Sequence, residues 1–248
     1  MKKAVLILSA VMLLCGGCSG DGKQKGNPAK KSEGVMTFAE YDAASLGSPV
    51  TVETFVQGKQ SWWNNTGTLY TQDPDGGYFI FEMKMSEAEY NKLSEGTKIR
   101  VSGLKSEWTG EIEIIDGKFE IENDAVYVAD PIDATSLLGT DELEKKRNMR
   151  VSFKGMTVEA AGRDENGNDV PFLYKWDGSG ERGDDVYFNL SHDGKTYTFT
   201  IRRYLTDQDS DAYKAAEALK IGQVVDVEGF LYWYDGPNPH IYSIQLSE

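Results

Sequence analysis

The chain has 248 residues, a formal net charge of −14, 11% aromatic residues and only two cysteines. A negative field of this size repels polyphosphates, so nucleic acid is disfavoured as a partner unless one face is locally basic. No phosphate-binding loop, nucleophile elbow or HExxH run occurs, and the many carboxylates show no spacing that marks an acid/base pair, so no enzyme is expected.

Residues 1–17 carry Lys2 and Lys3, an apolar run from Ala4 to Leu14 and the small residues Gly16 and Gly17. This is the layout of a secretory leader. The run is short for a membrane span. Gly16-Gly17-Cys18 resembles the bacterial lipobox, with Cys15 standing where that motif usually has an aliphatic residue. The resemblance implies a signal peptide over 1–17, diacylglycerol on Cys18 and a lipid-anchored protein on the extracytoplasmic face of a cell membrane. With Cys15 removed and Cys18 acylated, no thiol remains for a disulfide, a metal or a nucleophile.

Residues 19–34 are rich in Gly, Lys and Ser with almost nothing apolar, so 18–34 is expected to be a flexible tether. Lys23, Lys25, Lys30 and Lys31 are available there to anionic headgroups, although a solvated linker accounts for them equally. Removing Lys2, Lys3 and the net +2 of residues 19–34 leaves −18 on residues 35–248.

In residues 35–130, Thr37 and Glu40 form a capping box for a leading helix. Strands are predicted over Val50–Gln60, Gly67–Gln72 and Tyr78–Met85, the last two joined by the turn Asp73-Pro74-Asp75-Gly76-Gly77. Ser86 and Glu89 form a second capping box, and Gly96 stops that helix. Lys98–Trp108 and Glu111–Ile115 follow as strands. Three strands, a helix and two strands are the order of an OB-fold barrel.

Residues 131–248 repeat this order. Leu93, Gly96, Val101 and Gly103 align without a gap on Leu219, Gly222, Val227 and Gly229, and Ile99 stands over Val225, at an offset of 126 residues. Asp133–Leu138 and Asp141–Lys146 are expected as short helices. Strands are expected over Arg150–Ala160, Val170–Trp176, Val186–Leu190, Lys195–Leu205, Gln223–Tyr234 and His240–Leu246, with a helix over Ser210–Lys220. The fold class is therefore mainly β with short helices, in two tandem OB-fold-like five-stranded barrels. Few contacts are expected to cross the boundary at Val128–Asp133.

The stretches YFIFEMKMSEAEYNKLSEGTKIRVSG and LKIGQVVDVEGFLYWYDGPNPHI, together with the lipobox, resemble bacterial tandem OB-fold lipoproteins of unassigned function. The resemblance covers most of residues 36–248 and implies no particular binding residue. OB-folds bind oligonucleotides or oligosaccharides on strands two and three and on the loops between strands one and two and strands four and five. In the first barrel that region holds Trp62, Trp63, Tyr70, Tyr78 and Trp108, the candidate ligand-binding residues, whose rings stack on sugars or bases alike. Tyr232, Trp233, Tyr234 and His240 cluster in the second barrel, part of them expected in its core. The charge favours an oligosaccharide over nucleic acid; the other partner class is a protein. Neither metal nor cofactor is expected. Asp207, Asp209 and Asp211 have calcium-loop spacing, but Ala212 and Ala218 replace the required Gly and Glu.

Overall fold

The computed structural model describes residues 27–247. The expected signal peptide, Cys18 and the first part of the expected tether lie outside them. Among the described residues no helix is long and apolar enough to cross a membrane.

The first half begins with α1 (Phe38–Ala43), whose Thr37–Glu40 capping box has both reciprocal hydrogen bonds. Five strands follow: β1 (Pro49–Lys59), β2 (Thr66–Gln72), β3 (Gly77–Lys84), β4 (Thr97–Trp108) and β5 (Glu111–Val126). They close into a barrel in the order β1-β2-β3-β5-β4. A one-turn helix, α2 (Glu87–Tyr90), is capped by Ser86 and Glu89 and sits between β3 and β4. This is an OB-fold. Its interior is filled by the inward positions of each strand, among them Val52, Leu69, Tyr78, Ile80, Val101 and Ile114.

Two expectations change in this half. β5 runs well past Ile115, because Asp116 takes a left-handed conformation and pairing with β4 resumes after a register shift. The tether ends before residue 34. Lys31 Nζ donates to the buried Asp73 carboxylate and, at 2.7 Å, to the Glu53 carbonyl. Ser32 N–H donates to Glu53 Oε2 at 3.3 Å, and Met36 N–H to the Thr51 carbonyl at 2.9 Å. Lys31 is thus held by the barrel and is not free for headgroups.

The second half opens with β6 (Ile132–Asp133) and two 3₁₀ turns, Thr135–Leu137 and Glu144–Lys146, where short helices were expected. β7 (Arg150–Glu159) is followed by a small hairpin of β8 (Gly162–Arg163) and β9 (Asp169–Val170), then β10 (Phe172–Tyr174), β11 (Val186–His192) and β12 (Lys195–Ile201). Ser210 caps α3 (Asp211–Glu217), and β13 (Val224–Phe230) and β14 (His240–Leu246) complete the chain. Apart from the β8–β9 hairpin, which is a sheet of its own, these strands form one sheet, in which β11 also pairs with β7. That pairing links β7-β11-β12-β14-β13 into a hydrogen-bonded ring of the same order as the first. Residues 170–176, expected as the second strand of this ring, instead form an outer edge on β11, and residues 160–185 are an insertion. The aligned residues hold matching places: Gly96 and Gly222 have φ of +82° and +86°, and Ile99, Val101, Val225 and Val227 are all buried.

Many contacts cross the expected boundary. Tyr70 and Phe79 from β2 and β3 meet Phe230 and Tyr232 in a separate buried cluster. Tyr70 stacks on Phe230 at 4.5 Å between ring centroids, and Phe79 meets Tyr232 edge-on at 5.2 Å. Each buried aromatic side chain contributes about 1.5–3 kcal/mol. Few crossings were expected because the repeat marks two separate domains; here outward aromatics of the first half are the second half's contact surface. Gly77 lies so close to the other half that a Cβ there would sit 2.3 Å from the Asn148 carbonyl carbon. Backbone cannot yield as a side-chain tip does. Gly77→Ala is therefore expected to wedge the halves apart and cost about 1–3 kcal/mol, read as a lowered urea midpoint. An unchanged midpoint would show that the halves are not tightly apposed at this point.

Candidate functional site

A cleft of about 820 Å³ lies between the halves. Strand pleating builds both walls. On β3, Tyr78 and Ile80 fill the barrel, so Phe79 and Phe81 point outward. On β5, Ile112 and Ile114 belong with the barrel core and the alternate residues Glu111 and Glu113 face the other half. Across the cleft, β11 sends Val186, Phe188 and Leu190 into its own core and Tyr187 and Asn189 into the cleft. The outward faces of β3 and β5 of the first ring and of β11 and β12 of the second therefore look at each other. The insertion supplies one lip through Leu173 and Trp176, and the hairpin loop between β13 and β14 supplies another through Tyr234 and Asn238.

Exposed aromatic faces dominate the opening. Trp176 is 75% exposed and Trp108 54%, and Trp108 lies 5.4 Å from Tyr234 between centroids. Amides are fixed between them. Asn189 accepts from Thr198 Oγ1 at 2.9 Å and donates to the Ala160 carbonyl at 3.0 Å, and Asn238 accepts from Thr200 Oγ1 at 2.8 Å. A second cavity of about 520 Å³ adjoins the cleft, sharing Thr198, Tyr234 and Asn238 with it.

A buried relay orients His240. Gln60 Nε2 donates to the Tyr70 hydroxyl at 3.0 Å, and that hydroxyl shares a hydrogen bond of 2.7 Å with His240 Nδ1. Burial, with nearby Arg202, holds His240 well below the usual histidine range, so the ring is neutral. Tyr232 stacks on it at 4.2 Å. Arg202 is paired with Asp185.

Of the five residues expected to bind, only Trp108 lines the cleft. Tyr70 and Tyr78 are both fully buried, on opposite faces of their sheet: β2–β3 register pairs Tyr70 with Phe79, so Tyr70 joins the seam between the halves while Tyr78 faces the barrel core and donates to Asp73. Neither offers a face to a ligand. Trp62 packs on the barrel core with Nε1–H donated to the Met85 carbonyl at 3.1 Å, and Trp63 is 73% exposed in the β1–β2 turn, outside the cleft lining. Sequence reasoning passed over Phe81, Trp176, Tyr187, Glu113 and Arg202. Alternation along β3 and β5 marks Phe81 and Glu113 as outward residues, but nothing local says that a wall stands opposite them. Among the described residues no group of three or more His, Cys, Asp and Glu side chains is gathered closely enough to hold a metal ion. Asp209 instead faces Arg182 at 3.5 Å.

No protein-family model and no curated protein matches the sequence. Among solved structures, the chain is similar to a replication protein A heterotrimer bound to single-stranded DNA, at 12% identity and a TM-score of 0.32, covering 84% of this chain. It spans about half, 51%, of that chain. A murine DNA-binding protein bound with double-stranded DNA is similar at 9% identity and a TM-score of 0.34, over 81% of this chain and 90% of that one. A single-stranded DNA-binding protein from Thermus aquaticus is similar at 12% identity and a TM-score of 0.23, over 83% and 97%.

Beside the cleft, Glu111 accepts from Asn148 Nδ2 at 2.7 Å and from Trp233 N–H at 2.8 Å, joining the halves. Burial pushes its carboxyl up to about 8. Because the folded form holds this proton more tightly than the unfolded chain, the associated stability is complete below the ordinary value of 4.5 and is lost as pH rises towards about 8. Urea unfolding of wild type and Glu111→Gln across that window is expected to show a shallower decline for the variant. Parallel curves would show that Glu111 titrates normally.

Proposed function

We propose that this chain is a lipid-anchored, extracytoplasmic binding protein of two tandem OB-like barrels, one in residues 35–130 and one in 131–248, which holds an oligosaccharide in the cleft between them. One observation carries the reading: exposed aromatic faces, Trp108, Trp176 and Tyr234, surround amides fixed by their own hydrogen bonds. Sugar rings offer apolar C–H faces for stacking and hydroxyls for planar polar groups, and this wall presents both. The arrangement suits passive recognition rather than catalysis.

Nucleic acid is the second reading, and similar solved structures hold DNA. Those likenesses are too coarse to transfer a ligand. The lining offers one guanidinium, Arg202, already paired with Asp185, and the chain as a whole repels phosphate. Titration calorimetry with glucan and aminoglucan trimers and with single-stranded DNA, at low and physiological salt, separates the readings. Glycan binding should change little with salt and weaken about tenfold in Trp108→Ala and in Trp176→Ala, on the scale of a lost stacking partner of about 1–3 kcal/mol. Tight, steeply salt-dependent DNA binding with no glycan binding would overturn the proposal.

The anchor is tested apart from the cleft. Cys18→Ala is expected to move the protein from the membrane fraction to the soluble one and to abolish incorporation of labelled palmitate. Retention of both would refute lipidation at Cys18.

A further inference from the structure

Glu113 is a cleft residue whose carboxylate is left to the cleft. Only 7% of the residue is exposed, and among the described residues no hydrogen bond or ion pair reaches its carboxylate. The contrast with Glu111, two residues earlier on the same face of β5, is direct: that carboxylate has two donors. The carboxylate oxygens are not themselves sealed off: they open on the water of the cleft while most of the residue is packed away. Glu113 lines the cleft, so the missing donor is one that a ligand can bring.

Charge defines that donor. Among the described residues the only other formally charged group in the lining is Arg202, neutralised by Asp185, and His240 is held neutral by burial. Glu113 is therefore the one uncompensated charge of the cleft. Glu82, the acidic neighbour that acts on it, adds to the negative potential. Around it stand the rings of Phe79, Phe81, Trp108 and Tyr232, whose faces attract cations through their quadrupoles. A carboxylate without a partner inside a wall of π-faces is complementary to an ammonium group.

We infer that the ligand of the cleft carries a positively charged amine which binds Glu113, and that the oligosaccharide is built from amino sugars with free rather than acylated nitrogens. This rests on the oligosaccharide reading of the cleft and narrows it. An N-acetyl group would bring a neutral amide to the same place, leaving the carboxylate with a weaker donor and no opposite charge. A neutral glucan would bring only hydroxyls.

Isothermal titration of the full chain at physiological salt, with a β-1,4 glucosamine trimer, its fully N-acetylated counterpart and cellotriose, tests the inference. The amine trimer is expected to bind about tenfold or more tightly than either neutral trimer, as for a charge-assisted hydrogen bond in a partly dry site. Glu113→Gln should bring the amine trimer down to the level of cellotriose, with a circular dichroism spectrum like that of wild type showing that the variant is folded. Glu82→Gln, a change at an exposed neighbour, should keep most of the preference, separating a direct ion pair from the general acidity of the surface. Binding of all three trimers with equal affinity, or a uniform loss in Glu113→Gln, would overturn the amine inference and leave the cleft reading standing. Failure of all three to bind would overturn both.

Discussion

The aromatic seam of Tyr70, Phe79, Phe230 and Tyr232 is the contact on which the rest of the structure depends, because it covers only part of the sheet faces it joins. An OB barrel buries its inward residues by closing on itself, so its outward aromatics need cover from elsewhere. Here the second half covers some of them. Farther along the same strands the two surfaces part, and Phe81 and Tyr187 are left lining a gap that the seam holds at fixed width. Binding surface and interface are thus one continuous face, and the cleft requires no moving parts to exist.

Glu111 and Glu113 show how finely that division is drawn. Both are outward residues of β5, and both are desolvated. One ends where the halves touch and is satisfied by Asn148 and the Trp233 amide. The other ends where they separate and has no such donor. Two residues of strand, roughly 7 Å, take the chain from interface to site. The Gln60–Tyr70–His240 relay crosses the same line, tying a side chain of the seam to a ring that faces the cleft.

Much of the local structure is legible in the sequence, because its signals are short-range. Thr37 with Glu40 and Ser86 with Glu89 cap the helices they announce, and Gly96 and Gly222 turn where the alignment pairs them. The site is another matter. Whether Tyr70 or Tyr78 faces outward is decided by register with β3, which propensity does not encode, and the worth of Glu113 and Trp176 arises only when a second wall stands opposite. Composition misled at Lys31: a polar stretch reads as solvated linker until a buried Asp73 is found to hold it. Residues 160–185 misled in the opposite sense, since alternation over 170–176 marks a strand without saying that it sits on the edge, and the true second strand is Val186–His192.

The loop between β13 and β14 is the partition between the cleft and its neighbouring cavity, through Tyr234 and Asn238. Its base carries the buried Leu231 and Tyr232, and its tip turns through Asp235, Gly236 and Pro237, beyond the strand pairing. Loops of this kind accept insertions and deletions more readily than the strands beside them. A shorter loop would merge the two spaces into one long trough; a longer one would wall them off. The length of this one loop thus sets the shape of the whole hollow while the barrels and the seam stay as they are.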